Sequence, residues 1–157
     1  MAVPDFVLEL RERIGHAPLW LSGVTAVVLD DARERVLLIR RADNGAWTPV
    51  TGIIDPGEQP AVAAAREALE ETGVVIRVAR LASTSVTPDI MYENGDRSRY
   101  LDLTFECRYV SGAPHPADGE ASEVGWYRLD SLPPMTDEMR WRIDTALEDG
   151  PARFLPA

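Results

Sequence analysis

The sequence predicts a mixed α+β domain, a sheet built largely of hairpins with helices packed around it. Three observations carry that prediction. Short β-branched apolar runs alternate with Gly, Pro and Asn-Gly turn signals. An Ala-, Glu- and Leu-rich stretch between two turn-forming segments has helical spacing. The chain has 157 residues, 45% hydrophobic and 27% charged, which suits one soluble globular domain with a sizeable core and argues against disorder.

The elements follow in order. Phe6, Val7, Leu10 and Ile14 recur at helical spacing after Pro4, so a short amphipathic helix is expected over 5–14, stopped by Gly15. Residues 23–29 (GVTAVVL) and 36–39 read as two strands joined by a polar turn into a hairpin. Residues 42–57 read as a loop, with Asp55-Pro56-Gly57-Glu58 as a tight turn. Pro60 suits the first turn of a helix that runs to Thr72, and Gly73 suits its left-handed end. Strands are expected over 74–86 and 100–110, with Asn94-Gly95 between them. On the second of these, Leu101, Leu103, Phe105, Cys107 and Tyr109 share one face. A loop over 111–119 precedes a short strand over 124–129. Thr136 caps a last helix with Met139, Ile143 and Leu147 on its apolar side. No internal repeat or linker interrupts residues 1–157, which are expected to form a single domain.

Charge narrows the function classes. Sixteen basic residues, all arginine, stand against twenty-six acidic ones, a net −10. Such a surface repels a phosphate backbone, so a nucleic-acid polymer is not an expected partner. A small phosphorylated substrate stays open, because a metal ion inverts the local field. No apolar run approaches a membrane-spanning length, which argues against a membrane protein. Cys107 is a lone cysteine, read as a small hydrophobe in a strand. With no disulfide framework and no export-like start, a cytoplasmic location is expected.

The helix over 60–72 carries the chemistry. Glu67, Glu70 and Glu71 lie three and four residues apart and converge along one edge. Such repulsion is offset either by solvent or by a bound cation of the Mg²⁺ kind, which takes oxygen ligands. A solvated acidic face is the plainer reading of the helix taken alone. Its surroundings change this. Gly52 is followed after five residues by Glu58, after seven more by Arg66-Glu67, then by Glu70-Glu71 and Gly73-Val74.

The string GIIDPGEQPAVAAAREALEETGV, residues 52–74, resembles the Nudix box, G-x5-E-x7-R-E-U-x-E-E-x-G-U with U a bulky aliphatic. It departs from the family at Ala68, where Leu, Ile or Val is usual, and has Thr51 where many members carry a second glycine. The resemblance implies an αβα sandwich and metal-dependent hydrolysis of phosphoanhydrides. It implies Mg²⁺ or Mn²⁺ as cofactor, held by Glu70 and Glu71 with Glu67 as a further ligand or proton acceptor and the Gly52 carbonyl as another ligand. Glu58 and Arg66 would brace the loop against the helix. A further carboxylate is expected about six positions before Trp126, where Glu120 stands, with Glu123 as the substitute; plain loop solubility explains both acids equally well. Glu67, Glu70 and Glu120 are therefore the catalytic candidates, and Trp126 is read as core.

Substrate choice is less legible. Arg40 and Arg41 are candidate phosphate or carboxylate contacts, Arg99 beside a turn is a candidate pocket-lining residue, and Trp47 either stacks on a base or packs under its loop. Pro88 lies one residue short of where ADP-ribose-hydrolysing relatives often carry a proline. The expected substrate is a nucleoside diphosphate linked to another moiety, first an ADP-ribose-like sugar nucleotide and then a nucleoside triphosphate. The alternative is a catalytically silent nucleotide-sensing module on the same fold. The N-terminal helix and Trp20 either cover a homodimer interface or pack on their own sheet.

Overall fold

A computed structural model describes residues 3–155. Among the described residues there are three α-helices, α1 (Asp5–Ile14), α2 (Pro60–Thr72) and α3 (Asp137–Leu147), and a short 3-10 turn at Leu129–Ser131. The strands are β1 (Leu19–Leu29), β2 (Arg35–Arg41), β3 (Trp47–Thr48), β4 (Val50–Ile53), β5 (Val75–Val86), β6 (Ile90–Met91), β7 (Arg97–Ser111), β8 (Ala121–Arg128) and β9 (Arg153–Phe154). They form one mixed sheet with the path β3-β2-β1-β7-β5-β9.

β1 organises it. Its apolar run is buried on both faces, as a central strand requires. Val24, Ala26 and Val28 pack toward α2 with Ala63, Ala64 and Ala68. Val27 and Leu29 pack toward α3 with Ile143 and Ala146. The result is helix, sheet, helix, the αβα sandwich expected. Ala68 is fully buried, so the small side chain at this box position still belongs to the core.

The sheet is mixed as expected, but β1 and β2 form less of a hairpin than their sequences suggest. β1 and β2 meet only at Leu29↔Val36. β1 instead runs parallel to β7 from Leu19↔Ser98 to Leu29↔Arg108, which also extends it upstream of Gly23. Its other side pairs with β4, at Gly23↔Ile53 through Ala26↔Val50. β2 turns away to pair with β3 and β8. β3 and β4 fall in the stretch read as loop. Pro49, which has no N–H to donate, separates them and hides both from a search for alternating runs.

α1 lies against the sheet edge through Val7, which packs with Leu21 and Ile53 and is flanked by Phe6, Leu19 and Tyr100. Trp20 remains 59% exposed on β1. Among the described residues, no helix is long and apolar enough to cross a membrane.

Candidate active site

The loop between β4 and α2 is shaped by its turn. Gly57 has φ +85°, and the Glu58 N–H donates to Asp55 O at 2.9 Å, which delivers Glu58 to the start of the helix. Arg66 is the hub. Its Nε and Nη2 both donate to the Glu58 carboxylate at 2.9 Å, a bidentate pair. Nη1 donates to Glu67 at 2.9 Å and Glu70 at 3.1 Å, while Nη2 also reaches the Ile53 carbonyl at 3.1 Å. One guanidinium thus ties loop to helix and fixes three carboxylates. The Arg66 side chain holds the Glu58 carboxyl below its ordinary range, and Glu58 in turn raises the pKa of Arg66.

The helix acids differ in setting. Glu67 and Glu71 are each 4% exposed, whereas the Glu70 side chain is 54% exposed. Burial pushes the Glu67 pKa up against the pull of Arg66. Burial, with Glu67 and Asp118 nearby, pushes Glu71 to about 8.

Glu67 lies directly over Gly52. A Cβ built on Gly52 would stand 2.2 Å from Glu67 Cγ and Cδ. Gly52→Ala must therefore displace the Glu67 carboxylate, and a loss of activity of about a hundredfold is expected without loss of the fold. Steady-state rates beside a far-ultraviolet spectrum check this.

The loop after β7 supplies the remaining acids. Ala117 N–H donates to Glu71 O and His115 N–H to Thr72 O, each at 3.1 Å, so the loop is stitched to the end of α2. Gly73, in the left-handed conformation at φ +69°, makes room for the His115 ring. Ala42 N–H donates to Glu120 O at 2.9 Å, and Asp118 Oδ1 accepts the Glu120 N–H at 2.9 Å. These bonds bring carboxylate oxygens of Glu71, Asp118 and Glu120 within 4.8 Å of one another. Asp118 is not among the residues singled out from the sequence; the signal available there is two acids flanking Gly119 before a strand. Glu123, the substitute for Glu120, is elsewhere and accepts a hydrogen bond from the Tyr127 hydroxyl at 2.5 Å.

All three grouped side chains offer hard oxygen donors, one of them buried, and none offers nitrogen or sulfur. That donor set fits a divalent cation of the Mg²⁺ or Mn²⁺ type. A cleft of about 690 Å³ opens onto it, lined by Arg66, Glu67, Glu70, Asp118 and Glu120 and walled by Pro4, Asp5 and Phe6 of the α1 region.

A second cleft, about 420 Å³, has Gly52 in its lining. Arg41 and Trp47 line it, with Met91 and Tyr92 from the β6 hairpin and Glu138, Met139 and Arg142 from α3. Trp47 packs edge-on against Tyr127 at 4.8 Å, and Arg41 is bidentate with Asp43 at 2.7 and 3.0 Å. Arg40 and Arg99 line neither cleft. Arg40 stands 5.9 Å from the Trp47 ring, and Arg99 is paired with Asp89 at 2.6 and 3.1 Å. Trp126 is half-buried, edge-on to Tyr109 at 5.6 Å.

Residues 20–149 match the model of the NUDIX domain. The chain belongs to the Nudix family. Nudix members are hydrolases of diphosphate bonds and generally use a divalent metal. A MutT-like protein of Streptomyces ambofaciens is 34% identical over 115 residues, 73% of this chain and 68% of that one. A CMP-5'-(N-acetyl-N-hydroxy-3-aminopropyl)phosphonate hydrolase of Streptomyces rubellomurinus is 32% identical over 134 residues, 83% of this chain and 63% of the relative. The NAD-capped RNA hydrolase NudC of Chromobacterium violaceum is 31% identical over 104 residues, covering 64% of this chain and 36% of its own length. This Nudix chain thus spans only part of several curated relatives. Among solved structures, a MutT NUDIX hydrolase from Burkholderia pseudomallei has a TM-score of 0.65 at 27% identity, covering 81% of this chain and 98% of that one. A UDP-X diphosphatase has a TM-score of 0.68 at 20% identity, covering 97% and 74%, a likeness of fold alone.

Proposed function

We propose that this chain is a divalent-metal-dependent pyrophosphohydrolase that cleaves the diphosphate of a nucleoside diphosphate linked to a second moiety. An ADP-ribose-like sugar nucleotide is the first candidate and a nucleoside triphosphate the second. The observation that carries the reading is the grouping of Glu71, Asp118 and Glu120 beside the Arg66-braced acids at one cleft. Relatives named for a CMP-linked phosphonate and for NAD-capped RNA support a nucleotide-diphosphate substrate.

Glu71, Glu70 and Glu120, with Asp118, Glu67 and the Gly52 carbonyl, are the residues that would hold the cation. When bound, it neutralises charge on phosphoryl oxygens and acidifies a water. Arg66 keeps Glu67 and Glu70 in one orientation while the buried Glu67 carboxylate, with its raised proton affinity, takes the proton of the attacking water. A P–O bond forms from that water, the bridging P–O bond breaks, and the leaving phosphate receives the proton. Arg41, which lines the second cleft together with Gly52, would meet a phosphate of the substrate. A cytoplasmic location belongs to this reading. Exposed Trp20 keeps a second copy of the chain among the proposed partners.

A panel of ADP-ribose, CDP- and UDP-linked compounds, nucleoside triphosphates and NAD-capped RNA tests it, with Mg²⁺ or Mn²⁺ and with EDTA. AMP released from ADP-ribose only with metal is the expected result. Pyrophosphate released from triphosphates would move the substrate to the second candidate. Tight nucleotide binding with no turnover of any compound would overturn the reading in favour of a silent sensor.

The buried acids also set a pH dependence. Glu71 has a folded pKa of about 8 against an ordinary 4.5. A raised acid pKa means that its protonated form is favoured on folding. Its contribution is therefore fully present below about pH 4.5 and is lost as pH rises through about 8 in metal-free protein. Melting in EDTA is expected to show this loss, and Mg²⁺ or Mn²⁺ is expected to raise the melting temperature more at pH 8 than at pH 6. A metal effect equal at both values would contradict the assignment of Glu71.

A further inference from the structure

The loop that carries Asp118 and Glu120 has no apolar anchor, since no residue from Gly112 to Glu120 is buried. Its acids also stand against Glu71 with oxygens within 4.8 Å, and their charged forms repel. The upstream half of the loop, Gly112-Ala113-Pro114-His115-Pro116-Ala117, holds it in place against that repulsion.

Proline sets the form of this string. Pro114 and Pro116 fix their own φ and push Ala113 and His115 out of the helical region, so the segment is stiff and extended. Neither proline has an N–H, which leaves donors at alternate residues, Ala113, His115 and Ala117. The last two are the groups that donate to the Thr72 and Glu71 carbonyls, each at 3.1 Å. Those carbonyls lie in the last turn of α2, where a helix supplies no donor of its own. The spacing of N–H groups along the string thus matches the acceptors at the helix end.

Packing adds to these bonds. A Cβ on Gly112 would stand 2.3 Å from the Gly73 carbonyl oxygen, so the string begins pressed against the same helix end. The Tyr109 hydroxyl, on a ring packed against Trp126, donates to the Gly112 carbonyl at 3.0 Å. The His115 ring covers Gly73, where a Cβ would stand 2.3 Å from ring Cε1. Its Nδ1 bonds to the Ala113 carbonyl at 2.8 Å, and since a carbonyl only accepts, Nδ1 carries the proton. One ring therefore clips the string both to itself and to α2. Asp118 follows directly after Ala117.

We propose that Pro114-His115-Pro116 is a strut that presets Asp118 and Glu120 opposite Glu71, with His115 as its positioning residue. A preset loop spares the cation the cost of ordering it, so the strut sets metal affinity rather than the stability of the core. The assignment rests on the metal reading given above and adds what holds two of its ligands in place.

Binding of Mn²⁺ alone to the full chain, followed by the paramagnetic resonance signal of the free ion, reads this with no substrate present. Pro114→Ala combined with Pro116→Ala is expected to weaken Mn²⁺ binding roughly tenfold. His115→Ala, which keeps its own N–H for the Thr72 carbonyl, is expected to weaken it about fivefold. Melting temperatures in EDTA are expected to stay near the wild-type value in both, because the loop buries no part of the core. Equal Mn²⁺ affinity in wild type and both variants overturns the proposal and leaves the metal reading standing. So does a fall in affinity matched by an equal fall in stability in EDTA, which makes the string part of the fold rather than of the site. A wild-type chain that binds no Mn²⁺ overturns the metal reading and the proposal together.

Discussion

Glu71→Gln is expected to lower kcat/KM by at least about a hundredfold while leaving the metal-free protein as stable as before or more so. Both halves follow from the same setting. Glu71 is buried in the turn of α2 that the loop after β7 is stitched to, and it faces Asp118 and Glu120. Removing its charge would deprive the proposed cation of its most enclosed ligand. In metal-free protein the same charge is a burden, since burial and the neighbouring acids already push its pKa to about 8. An amide of equal shape relieves that burden. Glu70→Gln is expected to cost similar activity for a different reason. Glu70 is half-exposed, so its loss touches folding little, but it removes a carboxylate that Arg66 orients toward the cleft. Rates at saturating Mg²⁺ and melting curves in EDTA check both variants. Near-normal turnover in the two, with metal in excess, would remove the proposed mechanism.

Glu106→Gln is expected to destabilise the fold by about 2–4 kcal/mol without directly touching the site. Glu106 is 3% exposed on β7, on the face opposite Phe105 and Cys107. Arg80 Nε reaches one of its oxygens at 2.6 Å, Arg108 Nη2 reaches the other at 2.6 Å, and Arg33 Nη2 stands 3.8 Å away. Arg80 also donates to the Thr145, Ala146 and Glu148 carbonyls, which are unsatisfied acceptors at the C-terminal end of α3. One carboxylate therefore neutralises the arginines that anchor α3 to the sheet. Glutamine would leave those arginines to repel one another and turn an N–H₂ donor toward them. The estimate sits toward the low side of values for broken buried pairs because the three arginine side chains are 23–30% exposed. A urea titration monitored by tryptophan fluorescence checks it, and an unshifted midpoint would show that solvent already carries these charges.

The buried polar face of β7 shows where sequence reading stops. Leu103, Phe105 and Cys107 alternate as a strand facing a core should, so the intervening Asp102, Thr104 and Glu106 look solvent-facing. In the fold α3 covers them, and they become a buried ionic layer completed by Arg142 from a helix whose apolar residues alone were legible. Pattern reports which residues share a face. It does not report whether a second helix will cover the polar one.

The spacing of residues 52–74 determined the box helix and its acids, because turn chemistry at Pro56-Gly57, the helical period and the left-handed stop at Gly73 are local properties of the chain. Local rules also placed Thr136 at the start of α3, where its side chain accepts from Met139 N–H at 3.3 Å. Only the tertiary structure decided that Asp118 and Glu120 meet Glu71, that Arg40 and Arg99 line neither cleft, and that β1 lies parallel to β7. Those arrangements join segments tens of residues apart, and what selects them is burial across the whole sheet rather than the preference of any one stretch.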